Sequence, residues 1–105
     1  MKGERVKQCE VIMTGFLASS KAGHDKDKIY VIIREDREYV WLADGKIRTM
    51  ANLKKKRKKH IQVIKCFHDE RIEASLSEGR NVSDLEIMMV LKNYKKQQMN
   101  DTGGN

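Results

Sequence analysis

Apolar and polar positions change their spacing along the chain, and those changes divide it. Met1–Glu10 is mostly polar and predicts a flexible N-terminus over residues 1–10. From Val11 to Met50, short apolar runs alternate with polar clusters, as in a β-domain. Phe16-Leu17-Ala18-Ser19-Ser20 predicts a short strand, followed by the polar loop Lys21–Lys28. Ile29–Ile33 is a continuous β-branched and aromatic run whose length and content favour a strand over a helical turn. Arg34–Arg37 reads as a charged reversal and Glu38–Ala43 as the next strand. Asp44-Gly45 then precedes Lys46–Met50. Asp-Gly between two strands predicts a type I′ hairpin, which needs positive φ at both central positions. His60–Ile64 starts by alternating polar and apolar, as a half-buried closing strand would.

Four or five short strands with tight turns predict a small barrel, since closing the sheet leaves few exposed edges. The period then becomes helical. Asp69–Glu78 predicts a short helix with Ile72 and Leu76 one turn apart and Gly79 as its stop. Ser83 and Glu86 form a capping box, with Val82 and Ile87 at the staple positions on either side. Ile87, Val90, Leu91 and Tyr94 make one apolar stripe, widened by Leu85, Met88 and Met89. Lys92, Lys95 and Lys96 lie toward the end of that helix, where cations suit the dipole. The expected fold is mainly β: a barrel over residues 11–66, one short and one longer helix over 67–98, and a disordered tail over 99–105.

Charge sharpens this picture through its placement. The 105 residues carry 22 Lys and Arg against 15 Asp and Glu, a net charge of +7. Lys54, Lys55, Lys56, Arg57, Lys58 and Lys59 are consecutive, and the rest of the chain is nearly neutral. At 39% hydrophobic and 35% charged, the chain can build a modest core. Its apolar runs are too short to span a bilayer. Val11–Met13 and Phe16–Ala18 are interrupted by Thr14 and Gly15 and preceded by Glu4 and Glu10, unlike a signal segment. Cys9 and Cys66 make no disulfide framework and are expected to be reduced, buried thiols in a cytoplasmic protein.

The segment Gly15–Lys26 followed by Tyr30-Val31-Ile32 resembles the KOW motif, in the form found in ribosomal-protein-like KOW proteins of Gram-positive bacteria. The resemblance continues through Glu38-Tyr39-Val40, Ala43-Asp44-Gly45, Arg48, the Lys-rich segment ending Lys59-His60-Ile61-Gln62, and the capped helix Ser83–Tyr94. It implies an SH3-like barrel that binds RNA, with ribosomal RNA favoured, in or near the ribosome. A monomer with neither cofactor nor metal is expected. One residue departs from the pattern: Asp27 stands where the family commonly has glycine, restricting positive φ and adding a carboxylate to the loop.

These readings place the RNA-binding residues in two segments. In the loop, Lys21, Lys26 and Lys28 would meet phosphates, Gly23 would let the backbone approach, and His24 lies between them. In the run, Lys54–Lys59 repel one another until an anion neutralises them, and phosphate is the obvious partner. Arg48 joins the set through the resemblance. Tyr30, Tyr39 and Trp41 could stack on bases, although packing inside a small barrel is the commoner fate of such residues. Cys66 and His68, even with Cys9, His24 or His60, match no common zinc spacing. The chain also lacks a nucleophile elbow, a phosphate loop and a dinucleotide signature, so no enzyme is expected, and the KOW resemblance implies an RNA-binding role in translation. The competing expectation is an adaptor for ribosome or RNA polymerase components, docking through the helix that carries Met88 and Met89.

Overall fold

A computed structural model describes residues 13–21 and 28–103, which leaves the N-terminal ten residues outside it. Five strands form one antiparallel sheet: β1 (Leu17–Ser20), β2 (Ile29–Glu35), β3 (Tyr39–Ala43), β4 (Lys54–Arg57) and β5 (Ile61–Ile64). Their order is β4-β3-β2-β1-β5. The outer strands β4 and β5 are joined only by the 3-10 turn Lys58–His60, so the sheet curls until its two ends nearly meet. Two helices follow, α1 (Glu70–Ser77) and α2 (Asp84–Gly103). This is the mainly β class expected, an SH3-like barrel followed by a short and a longer helix. No helix among the described residues is long and apolar enough to cross a membrane.

β2 is apolar on both faces because the sheet is buried on both. Ala18, Tyr30, Ile32, Val40, Leu42 and Ile61 fill the barrel. On the other side, Leu17, Val31 and Ala43 pack against Ile72 of α1, Val82, and Ile87, Val90 and Leu91 of α2. Ile29 and Ile33 join this second cluster. Each fully buried aliphatic side chain contributes about 1.5–3 kcal/mol. The two clusters together outweigh anything the surface charges supply.

The helix starts follow the sequence reading. Asp69 Oδ1 accepts the Arg71 and Ile72 N–H groups, both at 3.1 Å, and Gly79 ends the turn beyond α1 with φ +77°. At α2, Ser83 N donates to Glu86 Oε1 at 2.9 Å, and Glu86 N donates to Ser83 Oγ at 3.1 Å. Val82 and Ile87 are both buried, completing the staple. The helix continues to Gly103, beyond the boundary at residue 98 expected from sequence.

Two expectations need correction. Asp44-Gly45 does not make a two-residue hairpin, and Lys46–Met50 is not a strand; a turn-rich connection leads to Lys54, and the basic run itself is the strand paired with β3. Asp44 Oδ1 accepts the N–H groups of Lys46, Ile47 and Arg48 at 2.8, 3.1 and 2.9 Å, which curls the backbone away from the ladder. Cys66 is also exposed instead of buried, because its neighbour Phe67 takes the packing position, edge-on to Tyr94 with ring centroids 5.4 Å apart.

The connection is fastened to α2. Met50 N donates to Asp84 Oδ1 at 2.8 Å. Gly45 has φ +82°, and a Cβ there would lie 2.6 Å from both the Asp84 carbonyl oxygen and Met88 Cγ. Gly45→Ala is therefore expected to destabilise the fold by about 2–4 kcal/mol, combining left-handed strain with overpacking. Urea unfolding followed by circular dichroism measures this.

Candidate nucleic-acid interface

Sheet register decides where each cation of the basic run lies. Lys54 and Lys56 pair with Leu42 and Val40, on the barrel-facing side, and are half-buried. Lys55 and Arg57 pair with Trp41 and Tyr39 on the outer side and are exposed. A run of like residues thus separates into two faces through the two-residue period of a strand.

Arg34 reaches the same outer face through a β-bulge. Val31 pairs with Ala43 and Ile32 with Leu42, but the next pairs are Arg34 with Trp41 and Glu35 with Val40. Ile33 is the extra residue. It packs toward the helices, and its insertion turns Arg34 outward and Glu35 toward the barrel side.

The result is a ladder of cations and rings across β2, β3 and β4. The Arg34 guanidinium lies 4.3 Å from the Trp41 ring centroid, and Lys55 Nζ lies 5.5 Å from it on the β4 side. Lys55 Nζ is also 4.3 Å from the Tyr39 centroid, and the Arg57 guanidinium is 5.3 Å from that ring. Such contacts contribute about 0.5–1 kcal/mol each at exposed sites. Their larger effect is to hold flexible side chains in place. Tyr39 and Trp41 remain half-exposed, whereas Tyr30 is buried in the barrel.

Lys58 has a different role. Its Nζ lies 3.3 Å from Glu35 Oε2, with the two side chains 22% and 15% exposed. Glu35 Oε1 also accepts the N–H groups of Met13 and Thr14, so this carboxylate ties the chain before β1 to the end of β4. Lys58 thus balances a largely buried acid. Lys59 and His60, by contrast, are exposed.

The 3-10 turn joins two other segments. Lys58 N donates to the Glu38 carbonyl oxygen at 2.8 Å, and Lys21 N donates to the His60 carbonyl oxygen at 3.0 Å. The base of the Lys21–Lys28 loop therefore lies against the end of the basic run, with Lys21 and Lys28 both exposed. Gly23, His24 and Lys26 lie outside the described residues, as does Asp27. Arg48 stands apart, at the opposite end of the β3–β4 pair from Lys58, with Nη1 3.5 Å from Asn52 Oδ1.

No known family model and no curated protein matches this chain. Among the described residues no three His, Cys, Asp or Glu side chains gather as a metal site. The chemistry of this face lies in its cations, its rings and their acidic rim.

The ladder is bounded by the turn at Asp36. Asp36 Oδ1 accepts the Tyr39 N–H at 2.7 Å and the Glu38 N–H at 2.9 Å, which orients the start of β3. The Tyr39 N–H holds the Asp36 carboxyl below its ordinary 3.8, against some desolvation and with help from the Glu38 N–H, Lys55 and Lys58. A carboxyl lowered by folding stabilises the native state above its ordinary value, and that contribution disappears as pH falls through the lowered value. Wild type is thus expected to melt above the Asp36→Asn variant at neutral pH, with the gap narrowing in the acid range. Thermal melts across that range test the sign, and a pH-independent gap would contradict it.

Proposed function

We propose that this protein is a non-catalytic RNA-binding protein, cytoplasmic and tied to the ribosome or to translation. It holds RNA phosphates through Lys55, Arg57 and Lys59 together with the base of the Lys21–Lys28 loop. One observation carries this reading: Lys21 is bonded to His60, so two cationic segments far apart in sequence share one corner of the barrel. Clustered cations gain affinity for a polyanion by releasing its condensed counterions. The KOW resemblance supports RNA over other polyanions and ribosomal RNA over other RNAs.

The test substitutes the exposed cations and spares Lys58, which balances Glu35. Changing Lys55, Arg57 and Lys59 together to Gln is expected to flatten the slope of log K against log salt by roughly 2 for single-stranded RNA. Circular dichroism should show the fold intact. An unchanged slope would remove these residues from the interface.

A second reading, a protein-interaction adaptor, draws on the outer side of α2, where Leu85 is 62% and Met89 55% exposed. These residues are one helical turn apart and point away from the core that Ile87, Val90 and Leu91 enter. If this face docks onto RNA polymerase or a ribosomal subunit, changing Leu85 and Met89 to Ser is expected to weaken binding to the purified assembly at least tenfold. RNA affinity and thermal stability should stay unchanged. Binding that survives the double substitution removes the helix from that contact.

A further inference from the structure

The ladder on β2, β3 and β4 has a feature that phosphate binding alone does not require: its cations are interleaved with two aromatic rings. From that arrangement we infer that the face takes unpaired nucleotides, with bases stacking at Trp41 and Tyr39 and flanking phosphates meeting Lys55 and Arg57. This deepens the RNA reading above and rests on it.

Spacing selects single strands. Tyr39 and Trp41 are two residues apart on one strand, so their side chains leave the sheet about 6.6–6.8 Å apart. Stacked bases in a duplex rise about 3.4 Å per step, roughly half that distance. Bases that engage both rings must therefore be unstacked from each other. Arg34 widens the platform, because a guanidinium plane accepts a stacked base much as an aromatic ring does. A deep, narrow A-form major groove offers such a flat face nothing to stack on.

The surroundings favour a nucleic acid over an acidic peptide. A peptide carboxylate would use the cations and leave both rings idle, whereas a nucleotide supplies a π-face and an anion together. The face is also open where it is needed: the helices cover the Val31 and Ala43 end of the outer sheet surface, and the Trp41 and Tyr39 end stays uncovered. A base that stacks on Trp41 or Tyr39 takes a ring face that Arg34, Lys55 or Arg57 now covers, and the displaced cation stays within reach of that nucleotide's phosphate.

Trp41 is the chain's single tryptophan and so reports directly on its own site. The probes are a mixed-sequence single-stranded RNA of about two helical turns' length, its duplex, and inorganic polyphosphate matched in charge. Single-stranded RNA is expected to quench Trp41 fluorescence and to bind at least tenfold tighter than the duplex. Trp41→Leu and Tyr39→Leu are each expected to weaken binding about fivefold or more, the loss of one stacked base. Neither should change the salt slope, because neither removes a charge, and Trp41→Phe should restore most of the affinity. If Trp41→Leu unfolds the barrel, Trp41→Phe and Tyr39→Leu carry the test. Single-strand binding that leaves Trp41 fluorescence and Tyr39→Leu affinity unchanged overturns the stacking role and leaves the RNA reading standing. Duplex or polyphosphate binding equal to single-strand binding does the same. Failure of every nucleic acid to bind overturns both.

Discussion

The β2 side of the outer face depends on one inserted residue, Ile33. In an unbroken antiparallel pair, side chains keep strict alternation, so Arg34 would follow Ile32 onto the wrong side and Glu35 would point outward. The bulge shifts the phase by one. Arg34 then joins Trp41, and Glu35 turns toward Val40, where it can receive the Met13 and Thr14 amides and the Lys58 ammonium. A single local irregularity thus sets two charges at once. One cation goes to the exposed ladder and one carboxylate to the corner that joins β4, the 3-10 turn and the chain before β1.

The bulge is tolerable because the inserted side chain is covered by the helical layer. Ile33 is apolar and finds the helical cluster, so the extra residue is absorbed by packing instead of being left in water. The helical layer is in turn held in place by short-range contacts at its start: the Ser83–Glu86 box, the Asp84 carboxylate on Met50 N, and the close approach of Gly45. These contacts anchor α2 over the Ala43 end of the sheet. The covering layer and the open ladder are therefore two halves of the same surface, and the position of one limits the extent of the other.

Much of this was legible in the sequence where residue types differ enough to show a period. The capping box, the Asp69 cap, the Gly79 stop and the apolar β2 and β3 runs all announce themselves through contrast. The basic run does not, because six cations in a row have no polar–apolar alternation from which to detect a strand. Asp44-Gly45 misled for a different reason. Its hairpin signal is local, while the actual turn is decided by Asp44 capping three amides and by α2 packing against Gly45. The bulge was illegible because no residue in Ile29–Glu35 marks it. Without it, Arg34 could not be assigned to Trp41. In the loop, Gly23, His24 and Lys26 lie outside the described residues, so the clearest part of the KOW resemblance bears on the site only through Lys21 and Lys28.

The run of six therefore does not act as six equivalent charges. Lys58 is committed to Glu35, Lys54 and Lys56 share the barrel-side face with Leu42 and Val40, and Lys55 and Arg57 are aligned by rings. Asp36 lies close enough to Lys55 and Lys58 to feel their charge, and Glu38 Oε1 approaches Arg57 Nη1 at 3.9 Å. These acids reduce the net field at that end of the ladder. A disordered polylysine segment would give a steep salt dependence and no shape preference. An ordered strand with fewer available cations gives up part of that electrostatic reach and gains fixed geometry in exchange. Under such a division, affinity at moderate salt depends on how well a ligand fits the alternating rings and cations, and the total charge of +7 becomes a poor guide to what the surface selects.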